Sequence, residues 1–273
     1  MSLCVSVVSH GHGNEALRLL AQLAASGPGC PQRVVLTLNV PEPALTQALQ
    51  AAGDRQPWPF VLDIVENPRP QGFGTNHNLA FALDTRRGAS EWFAVLNPDL
   101  TLGQDTLPAL RQAAAQSDAR TGLIYPVQVD AHGRRQDHER LLPTPARLLR
   151  RHLPGAPRRE VRSTEAPDWV NAAFMLLRRE AYASIGGFDE QYHMYCEDVD
   201  LCLRLRLAGW RLVRADGAVV AHGARRASRR HPRHLLWHVQ SLLRLWRSRA
   251  WQAWRAGGVG ETTTFDDTTQ HHP

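Results

Sequence analysis

Trp-Val-Asn-Ala-Ala-Phe-Met at residues 169–175 begins the segment around which the rest of the chain is organised, and Gly-Gly-Phe-Asp-Glu at 186–190 and Met-Tyr-Cys-Glu-Asp-Val-Asp at 194–200 complete it. Glu197, Asp198 and Asp200 follow a Gly-Gly pair and aromatic residues, which are typical of a loop that leads into a helix. Because Asp198 and Asp200 cannot share a helix face, Glu197 and Asp198 are the candidates for chemistry and Asp200 is a first-turn charge. The alternative is that these acids simply collect at a helix N-terminus, where they are generally favoured.

Length and composition indicate a large α/β domain, with or without a short appendage, because the chain has 273 residues. The sequence contains no long uncharged apolar stretch, and the apolar run at residues 4–8 lacks the basic start and length of a signal peptide. We therefore expect a cytoplasmic protein. The four cysteines show neither zinc-site pairing nor the density of a secreted scaffold, which favours reduced thiols.

The net charge of +6 comes from one segment of the chain. Residues 201–260 hold 13 of the 32 basic residues and a single acid, Asp216, whereas residues 1–200 hold 19 basic and 22 acidic residues. Every one of the basic residues is arginine. Any attraction to an anionic partner should therefore lie in the C-terminal part of the chain.

The first hundred residues alternate between buried-type strands and helical patterns. Strands are predicted at residues 3–8, 33–38, 60–65 and 92–96, and helices at 16–23, 41–52 and 79–83. This alternation predicts a mostly parallel sheet covered by helices, with ligands at the carboxyl ends of the strands. Residues 127–167, which are rich in Arg, Pro and Gly, read as a long, partly mobile excursion that could carry acceptor contacts.

The C-terminal third is less clear. Leu201, Leu203, Leu205 and Leu207 alternate as in a strand, yet Gly209 stands where a helix would end. Short strands are predicted at 211–214 and 218–221, just before His222. Residues 235–254 predict an amphipathic helix whose stripe comprises Leu235, Leu236, Val239, Leu242, Leu243, Trp246, Ala250 and Trp254. The expected organisation is a domain at 1–230, a basic amphipathic helix at 231–256 packed on or appended to it, and a disordered tail at 257–273.

Taken in order, these landmarks resemble the family-2 glycosyltransferases, and within them the bacterial rhamnosyltransferase-like branch. The matching segments are residues 5–8, Gly72-Phe73-Gly74 with Asn78, residues 96–99, 186–190 and 194–204, and finally His222. Each is weak alone, and their common order makes the match strong. The resemblance implies a single nucleotide-sugar-binding α/β domain of the GT-A type, and it assigns the segment after Asp198 to a helix.

A divalent cation is implied by the resemblance. A nucleotide-diphosphate leaving group builds up negative charge, which Mg²⁺ or Mn²⁺ can neutralise from hard oxygen ligands. By resemblance Asp99 is a metal ligand and His222 is the second one. The family often has Asp-x-Asp where this chain has Asn97-Pro98-Asp99, and an amide brings no charge, so metal affinity should be modest. Taken alone, Asn-Pro-Asp could be an ordinary turn and the histidine a structural one.

Transfer also needs a base for the acceptor hydroxyl. By resemblance Asp198 is that base, and Glu197 orients the acceptor or raises the pKa of its neighbour. A single base without a second carboxylate nucleophile implies displacement with inversion at the sugar carbon. Trp169 and Asn171 are expected to form the acceptor or sugar wall, although the tryptophan could equally belong to the core.

Nucleotide contacts are expected from loops after the strands. The residues assigned to this role are Ser9, His10, Gly11, Asn39, Gly72, Phe73, Asn78 and Asn97. Asn39 stands where the family commonly has an acid, which puts base selectivity in doubt, and Asn78 either fixes its loop or touches the diphosphate. His10 and His12 lack the partners of a zinc site, so we favour nucleotide contact or plain loop chemistry for them.

The resulting hypothesis is an inverting, metal-dependent glycosyltransferase that moves a hexose or deoxyhexose, with dTDP-rhamnose the first donor to test. The acceptor would be a hydroxyl of a surface polysaccharide or lipid-linked glycan. Residues 225–255 could contact the inner face of the cell membrane, or the helix could pack its stripe on the domain. No nucleic-acid partner is expected, because no recognition motif accompanies the charge. The alternative is a catalytically silent member that binds sugar nucleotide or glycan, since the acids expected at 39 and 97 are missing.

Overall fold

The computed structural model describes residues 1–151, 161, 166–223 and 232–257. Its strands are β1 (Leu3–Ser9), β2 (Arg33–Leu38), β3 (Val61–Glu66), β4 (Trp92–Leu96), β5 (Leu100–Leu102), β6 (Thr121–Val129), β7 (Glu139–Arg140), β8 (Trp169–Val170), β9 (Phe174–Arg178) and β10 (Arg211–His222). Its helices are α1 (Gly13–Ala24), α2 (Pro43–Arg55), α3 (Phe73–Arg86), α4 (Thr106–Gln116), α5 (Pro145–Arg151), α6 (Arg179–Ser184), α7 (Glu197–Leu207), α8 (Pro232–Arg247) and α9 (Arg249–Arg255), with a 3₁₀ turn at Gly27–Gly29.

Eight of the strands form one sheet in the order β3-β2-β1-β4-β9-β6-β10-β5, and β7 pairs with β8 in a separate ribbon. Strands β1 to β4 run parallel to one another, and β6 runs parallel to β10. Strand β9 lies antiparallel between β4 and β6, and β5 lies antiparallel at the edge. The prediction of a mostly parallel, helix-covered sheet is therefore confirmed.

Two apolar layers cover the sheet. One contains Leu19, Leu20 and Leu23 of α1 with the side chains of β1, β2 and β4 that face them. The other contains the buried leucines of α7 together with Phe93, Tyr182 and Phe188. The central strands are buried on both faces, which is why they read as short continuous apolar runs in the sequence.

Helix α3 is longer than its prediction. It begins at Phe73, with Gly72 as its N-cap residue. Residues 73–78, which the sequence predicted as the end of a loop, therefore form its first turns. The Asn76 side-chain amide donates to the Gly72 carbonyl at 3.0 Å, and the Asn76 backbone amide donates to the same oxygen at 3.2 Å, so this polar residue is bonded back to the N-cap. Gly72, Phe73, Gly74 and Asn78 therefore lie on or beside a helix.

Residues 197–207 form a helix, as the resemblance implies. Both sides of α7 are buried, including Leu201, Leu203 and Leu205, so the usual polar face that reveals a helical period is missing. Gly209 follows with a φ of +82°, the left-handed conformation that commonly ends a helix. The strand alternative for this segment is wrong.

The two short strands predicted before His222 are one strand. Strand β10 runs from Arg211 to His222 and pairs with β6 over most of its length. An irregularity between Ala215 and Val219 interrupts the register where the sequence has Asp216-Gly217. His222 is the last residue of the strand, so it is carried by the sheet itself.

The single C-terminal helix predicted over residues 235–254 is two helices. The break is at Ser248, whose Oγ accepts a hydrogen bond from the Trp251 amide at 3.1 Å and caps α9. Leu245 and Trp251 are buried against the domain, and Leu242, Trp246, Ala250 and Trp254 pack partly on it. Four members of the predicted stripe, Leu235, Leu236, Val239 and Leu243, are instead 65%, 54%, 45% and 40% exposed.

Several predictions fall partly or wholly outside the described part of the chain. Residues 127–167 supply the end of β6, then β7 and α5, but 152–160 and 162–165 lie outside it. Residues 224–231 of the basic segment and residues 258–273 of the tail lie outside it as well.

Among the residues described, no helix is long and apolar enough to cross a membrane. All four cysteines are free thiols.

Candidate functional site

Asp99 and His222 meet at one edge of the sheet. Asp99 follows β4, His222 ends β10, and the His222 Nε2 lies 3.4 Å from the Asp99 Oδ1. Burial works against ionisation of Asp99, but the hydrogen bond and charge of His222, with the charge of His12, hold the pKa of the carboxyl below its ordinary value. The pair therefore offers an ionised carboxylate oxygen and an imidazole nitrogen side by side.

This donor pair fits a divalent cation that is shared with a bound diphosphate. Asp99 and His222 remain 22% and 12% exposed at their side chains, so a ligand can reach them. Among the described residues no group of three or more His, Cys, Asp or Glu side chains is placed to hold a metal. Two protein ligands suit Mg²⁺ or Mn²⁺, since such ions commonly take their other oxygens from phosphate and water.

The Glu197–Asp198 pair lies at the start of α7, on a constrained piece of backbone. Tyr195 and Cys196, the two residues before it, have φ values of +73° and +63°. Left-handed backbone is uncommon for residues other than glycine, and such conformations cluster at functional sites. This turn delivers Glu197 into the interior and leaves Asp198 half-buried.

The pKa values of both acids are raised, mainly by burial. For Glu197 the cause is burial followed by the charge of Asp198. For Asp198 it is burial, which the backbone amides of Val199 and Ala172 and the charge of Arg140 partly offset. The Val199 amide donates to Asp198 Oδ1 at 2.9 Å, whereas Glu197 Oε2 is buried and has no hydrogen-bond partner among the described residues. A carboxylate with a raised pKa, held by backbone amides, is suited to take up a proton.

Asp200 has a structural environment. Its carboxylate accepts a hydrogen bond from Arg204 Nε at 2.6 Å, one helical turn later. The same guanidinium donates to the carbonyls of Ile185 and Gly187, each at 2.7 Å. Asp200 therefore holds Arg204, and Arg204 holds the Gly-Gly loop, which agrees with its prediction as a first-turn charge.

Asn39 joins three of the predicted nucleotide loops. Its Oδ1 accepts from the Asn67 amide and from the Gln71 backbone amide, both at 2.8 Å. Its Nδ2 donates to the Gln71 carbonyl at 3.0 Å and lies 3.1 Å from His10 Nδ1. Asn39 is buried, so an amide in place of the family's acid acts here as a neutral connector between the loops after β1, β2 and β3.

Gly72, Gly74 and Asn78 contact residues of the Gly-Gly-Phe-Asp-Glu region. A Cβ on Gly74 would lie 2.6 Å from the Phe188 Cβ, and one on Gly72 would lie 3.1 Å from the His193 carbonyl. The Asn78 Oδ1 accepts from the Tyr182 hydroxyl at 2.6 Å and the Phe188 amide at 3.0 Å. These contacts support the loop-fixing alternative for Asn78, and a direct contact with the diphosphate stays a prediction.

Trp169 is a core residue in this structure. It is 7% exposed, its Nε1 donates to the Leu141 carbonyl at 2.9 Å, and the Arg140 guanidinium lies 5.5 Å from its ring centroid. The indole therefore offers no open face to a sugar, which favours the core alternative. Asn171 is half-buried, and its Oδ1 accepts from Gln128 Nε2 at 2.7 Å.

The remaining predicted residues stand at the same edge of the sheet. Ser9 is buried at the end of β1 and its Oγ accepts from the His12 amide at 3.2 Å, while His10 and Gly11 are exposed. Asn97 is half-buried after β4, and its backbone amide donates to the Ala173 carbonyl at 2.9 Å. Their contacts with a nucleotide stay predictions.

Sequence reasoning missed Arg140, whose charge acts on Asp198 from the β7–β8 ribbon. The ribbon is two residues long on each side, which is too short to leave a periodic signal. His12 was singled out for nucleotide contact or loop chemistry, and the structure adds an effect of its charge on Asp99. This effect follows from its place after the first strand, because the carboxyl ends of neighbouring parallel strands meet.

Comparison with known proteins places the chain among its relatives. A family model described as "Glycosyltransferase like family 2" matches residues 3–253. The N-acetylglucosaminyl-diphospho-decaprenol L-rhamnosyltransferase of Mycobacterium tuberculosis is 31% identical over 274 residues, which cover 93% of this chain and 87% of the relative. Rhamnosyltransferase WbbL of Escherichia coli is 27% identical over 249 residues, covering 88% and 90%.

The fold has solved counterparts. The mannosyltransferase PcManGT from Pyrobaculum calidifontis, in complex with GDP-Man and Mn²⁺, aligns with a TM-score of 0.60 at 17% identity. The alignment covers 89% of this chain and 64% of the mannosyltransferase, so that protein continues beyond the shared part. At this identity the likeness concerns the fold, and it confirms the predicted GT-A type.

Proposed function

The chain belongs to glycosyltransferase family 2, and from this premise we propose that it is an inverting, metal-dependent rhamnosyltransferase that uses dTDP-rhamnose. Membership, together with the rhamnosyltransferase relatives, confirms the resemblance carried by the sequence motifs and the prediction of an enzyme. The catalytically silent alternative loses its support accordingly. The donor, the metal and the stereochemistry are the proposed parts.

One observation carries the proposal. The structure holds an Asp99–His222 pair at the carboxyl ends of its strands and a base candidate, Asp198, at the start of α7. The short segment between β8 and β9 links the two parts, because its Ala173 carbonyl accepts from the Asn97 amide and its Ala172 supplies a backbone amide to Asp198. A leaving-group site and a proton acceptor are the two components that displacement at a sugar carbon needs.

The residues divide the reaction between them. Asp99 and His222 would hold the cation, which neutralises charge on the departing diphosphate when it is bound. The loops joined by Asn39 would shape the nucleotide end of the site. Asp198 takes the proton from the acceptor hydroxyl as that oxygen attacks the sugar carbon from the side opposite the leaving group. The buried Glu197, whose own pKa is raised by burial and by the charge of Asp198, would orient the acceptor beside it.

Names of the relatives support the donor and the acceptor. The mycobacterial relative is named for transfer of L-rhamnose to N-acetylglucosaminyl-diphospho-decaprenol, and the E. coli relative is a rhamnosyltransferase. We propose an acceptor of the same kind, a glycan linked through diphosphate to a polyprenol, as used in building cell-envelope polysaccharide.

A peripheral contact with the membrane is part of the proposal. Leu235, Leu236, Val239 and Leu243 of α8 project from one side of that helix, within an arc of about 100° at the helical period. No Asp or Glu occurs between residues 217 and 257. An exposed apolar stripe flanked by arginines is typical of helices that lie in an anionic membrane surface.

The donor and the metal are tested by thermal unfolding with dTDP-rhamnose, dTDP and other nucleotide diphosphates, with and without Mn²⁺ or Mg²⁺. A ligand that binds the folded state raises the melting temperature with its saturation. We expect a metal-dependent rise with the dTDP ligands that Asp99→Ala abolishes. Asp105→Ala serves as the matched control, because Asp105 is exposed and its side chain makes no capping bond.

Product analysis completes the test. Transfer to a soluble N-acetylglucosaminyl-diphosphoprenol analogue should give a product whose anomeric configuration is opposite to that of the donor. Retention would refute the single-displacement mechanism. A metal-dependent stabilisation by another nucleotide, and none by dTDP, would refute the proposed donor and leave the metal site standing.

A further inference from the structure

A groove of about 880 Å³ lies between α8, the start of α9 and the Gly-Gly-Phe-Asp-Glu region. Its apolar lining includes Ile185, Trp237, Leu243 and Ala250. Neither Asp99, His222 nor Asp198 lines it, so it is separate from the residues assigned to chemistry. Its size falls within the usual range of small-molecule sites, about 300–1,000 Å³.

The polar lining of the groove is mainly cationic. Four guanidinium groups line it, those of Arg204, Arg244, Arg247 and Arg249, against the carboxylates of Asp189 and Asp200. Arg204 is already bound to Asp200 at 2.6 Å, and Arg244 donates to Gln191. Arg247 and Arg249 are exposed, and neither makes an ion pair within the described part of the chain. These two leave a positive rim that a phosphate group would satisfy.

The groove is built onto the segment that carries the base. The Ser241 hydroxyl of α8 donates to the Met194 carbonyl at 2.9 Å, three residues before α7 begins. His193 and Asp200 line the groove from either side of the Glu197–Asp198 pair in the sequence. At about 100° per residue, Asp200 and Asp198 point to opposite sides of α7, so the groove and the base flank the same helix start.

We propose that this groove binds the phosphate and the first isoprene units of a prenyl-phosphate-linked acceptor, which rests on the proposed function. The arginine rim holds the phosphate, and the wall formed by Trp237 and Leu243 contacts the prenyl chain. The acceptor sugar then crosses the N-terminus of α7 to bring its hydroxyl to Asp198. Leu243 belongs to both the groove and the exposed stripe of α8, so the prenyl chain can continue from the groove toward a membrane surface.

The apolar wall and the cationic rim together determine which class of ligand fits the groove. A simple anion would use the arginines and leave the wall of Ile185, Trp237 and Leu243 unused. An uncharged lipid would cover the wall and leave two guanidinium groups without a partner. A prenyl phosphate meets both parts, because burial of apolar surface and charge-assisted hydrogen bonds contribute together.

The test is calorimetric titration of the full chain with farnesyl diphosphate in EDTA, which removes any metal-linked binding at Asp99 and His222. We expect binding, weakened at least tenfold in Arg247→Gln/Arg249→Gln. Arg255→Gln is the matched control, because Arg255 is an exposed arginine of α9 that does not line the groove, and it should bind like the wild type. Leu243→Gln should weaken farnesyl diphosphate while leaving inorganic pyrophosphate unaffected.

Two further titrations separate the sources of phosphate. Inorganic pyrophosphate that binds as tightly as farnesyl diphosphate would overturn the proposal in favour of a plain anion site. Equal binding of farnesyl diphosphate by the wild type and the double variant would also overturn it, and a loss of binding to phosphatidylglycerol vesicles in that same variant would then assign the arginines to the bilayer.

Kinetics distinguish failure of the groove from failure of the enzyme assignment. With a prenyl-diphosphate-linked acceptor, the double variant should raise the acceptor KM at least tenfold with little change in kcat. Farnesyl diphosphate binding that depends on the arginines, in a protein that transfers no sugar, would support the groove and refute the proposed reaction.

Discussion

Replacement of Asp198 by Asn tests the proposed base at the start of α7 without removing its hydrogen bond to the backbone. The amide is nearly isosteric and its oxygen can still accept from the Val199 amide, which donates to Asp198 Oδ1 at 2.9 Å. It cannot take a proton from the acceptor hydroxyl. The variant should therefore keep donor binding and lose transfer.

The magnitude follows from the role of the lost group. General base catalysis contributes about 10²–10⁴ in rate, which corresponds to about 2.7–5.4 kcal/mol of transition-state free energy. Stability should not fall with the transfer rate. Burial raises the pKa of Asp198, so the ionised form is disfavoured in the folded protein. The stabilising contribution of the protonated carboxyl is lost as the pH rises through the folded-state pKa. At neutral pH the Asn variant should be at least as stable as the wild type, and this advantage should vanish in acid.

The assay combines single-turnover transfer with thermal unfolding, and Asp200→Asn is the paired control. Asp200 lies in the same helical turn but is bound to Arg204, and its side chain is 3% exposed. Weakening this buried pair should cost up to about 3 kcal/mol of stability. Transfer per folded molecule should fall far less than in Asp198→Asn, because Asp200 points away from Asp198 and affects it only through Arg204 and the Gly-Gly loop.

The pH profile supplies the refuting result. Wild-type transfer should decline toward acid as Asp198 is protonated, with a midpoint above that of an ordinary aspartate. The residual activity of Asp198→Asn should lack this decline. Wild-type rates in Asp198→Asn, or an unchanged acid limb, would show that another group is the base.

Three further outcomes are expected. Asp99→Ala should weaken Mn²⁺-linked nucleotide binding at least tenfold, measured by titration at fixed metal, while metal-free binding stays the same. Gly74→Ala should lower the free energy of unfolding in urea by about 1–3 kcal/mol, because its Cβ would lie 2.6 Å from that of Phe188. Trp169→Phe should cost about 1 kcal/mol of stability through its lost hydrogen bond to the Leu141 carbonyl. An acceptor KM raised tenfold in this variant, without loss of stability, would restore the sugar-wall alternative.

The strands of the N-terminal half of the sheet could be predicted because each is marked by its own short stretch of sequence. Strands β1, β2 and β4 are buried on both faces, so continuous apolar runs marked their positions to within a residue or two. Helix α7 had no such local signal. Its polar face is missing because both sides are covered, and only the resemblance distinguished a helix from a strand.

The sequence placed Asp99 after a strand, and the resemblance supplied His222 as its partner. The structure brings the two together because Asp99 follows β4 and His222 ends β10, and the carboxyl ends of parallel strands share an edge of the sheet. Their role as metal ligands stays a prediction. Trp169 was ambiguous because its burial depends on a two-residue pairing with β7, which has no periodic signal. Arg140 was missed for the same reason, since its charge acts on Asp198 from that ribbon.

The glycines at 72 and 74 show that a motif connected with nucleotide contact also has a structural role. Phe188 and His193 approach these glycines closely, and contact of Gly72 with a nucleotide stays a prediction. The motif at 186–190 packs on the start of α3, and Arg204 of α7 donates to the Gly187 carbonyl within it. The two motifs are therefore two sides of one contact that fixes the backbone leading into Glu197 and Asp198. A change at Gly74 should accordingly alter the position of Asp198, the proposed base, as well as the stability of the fold.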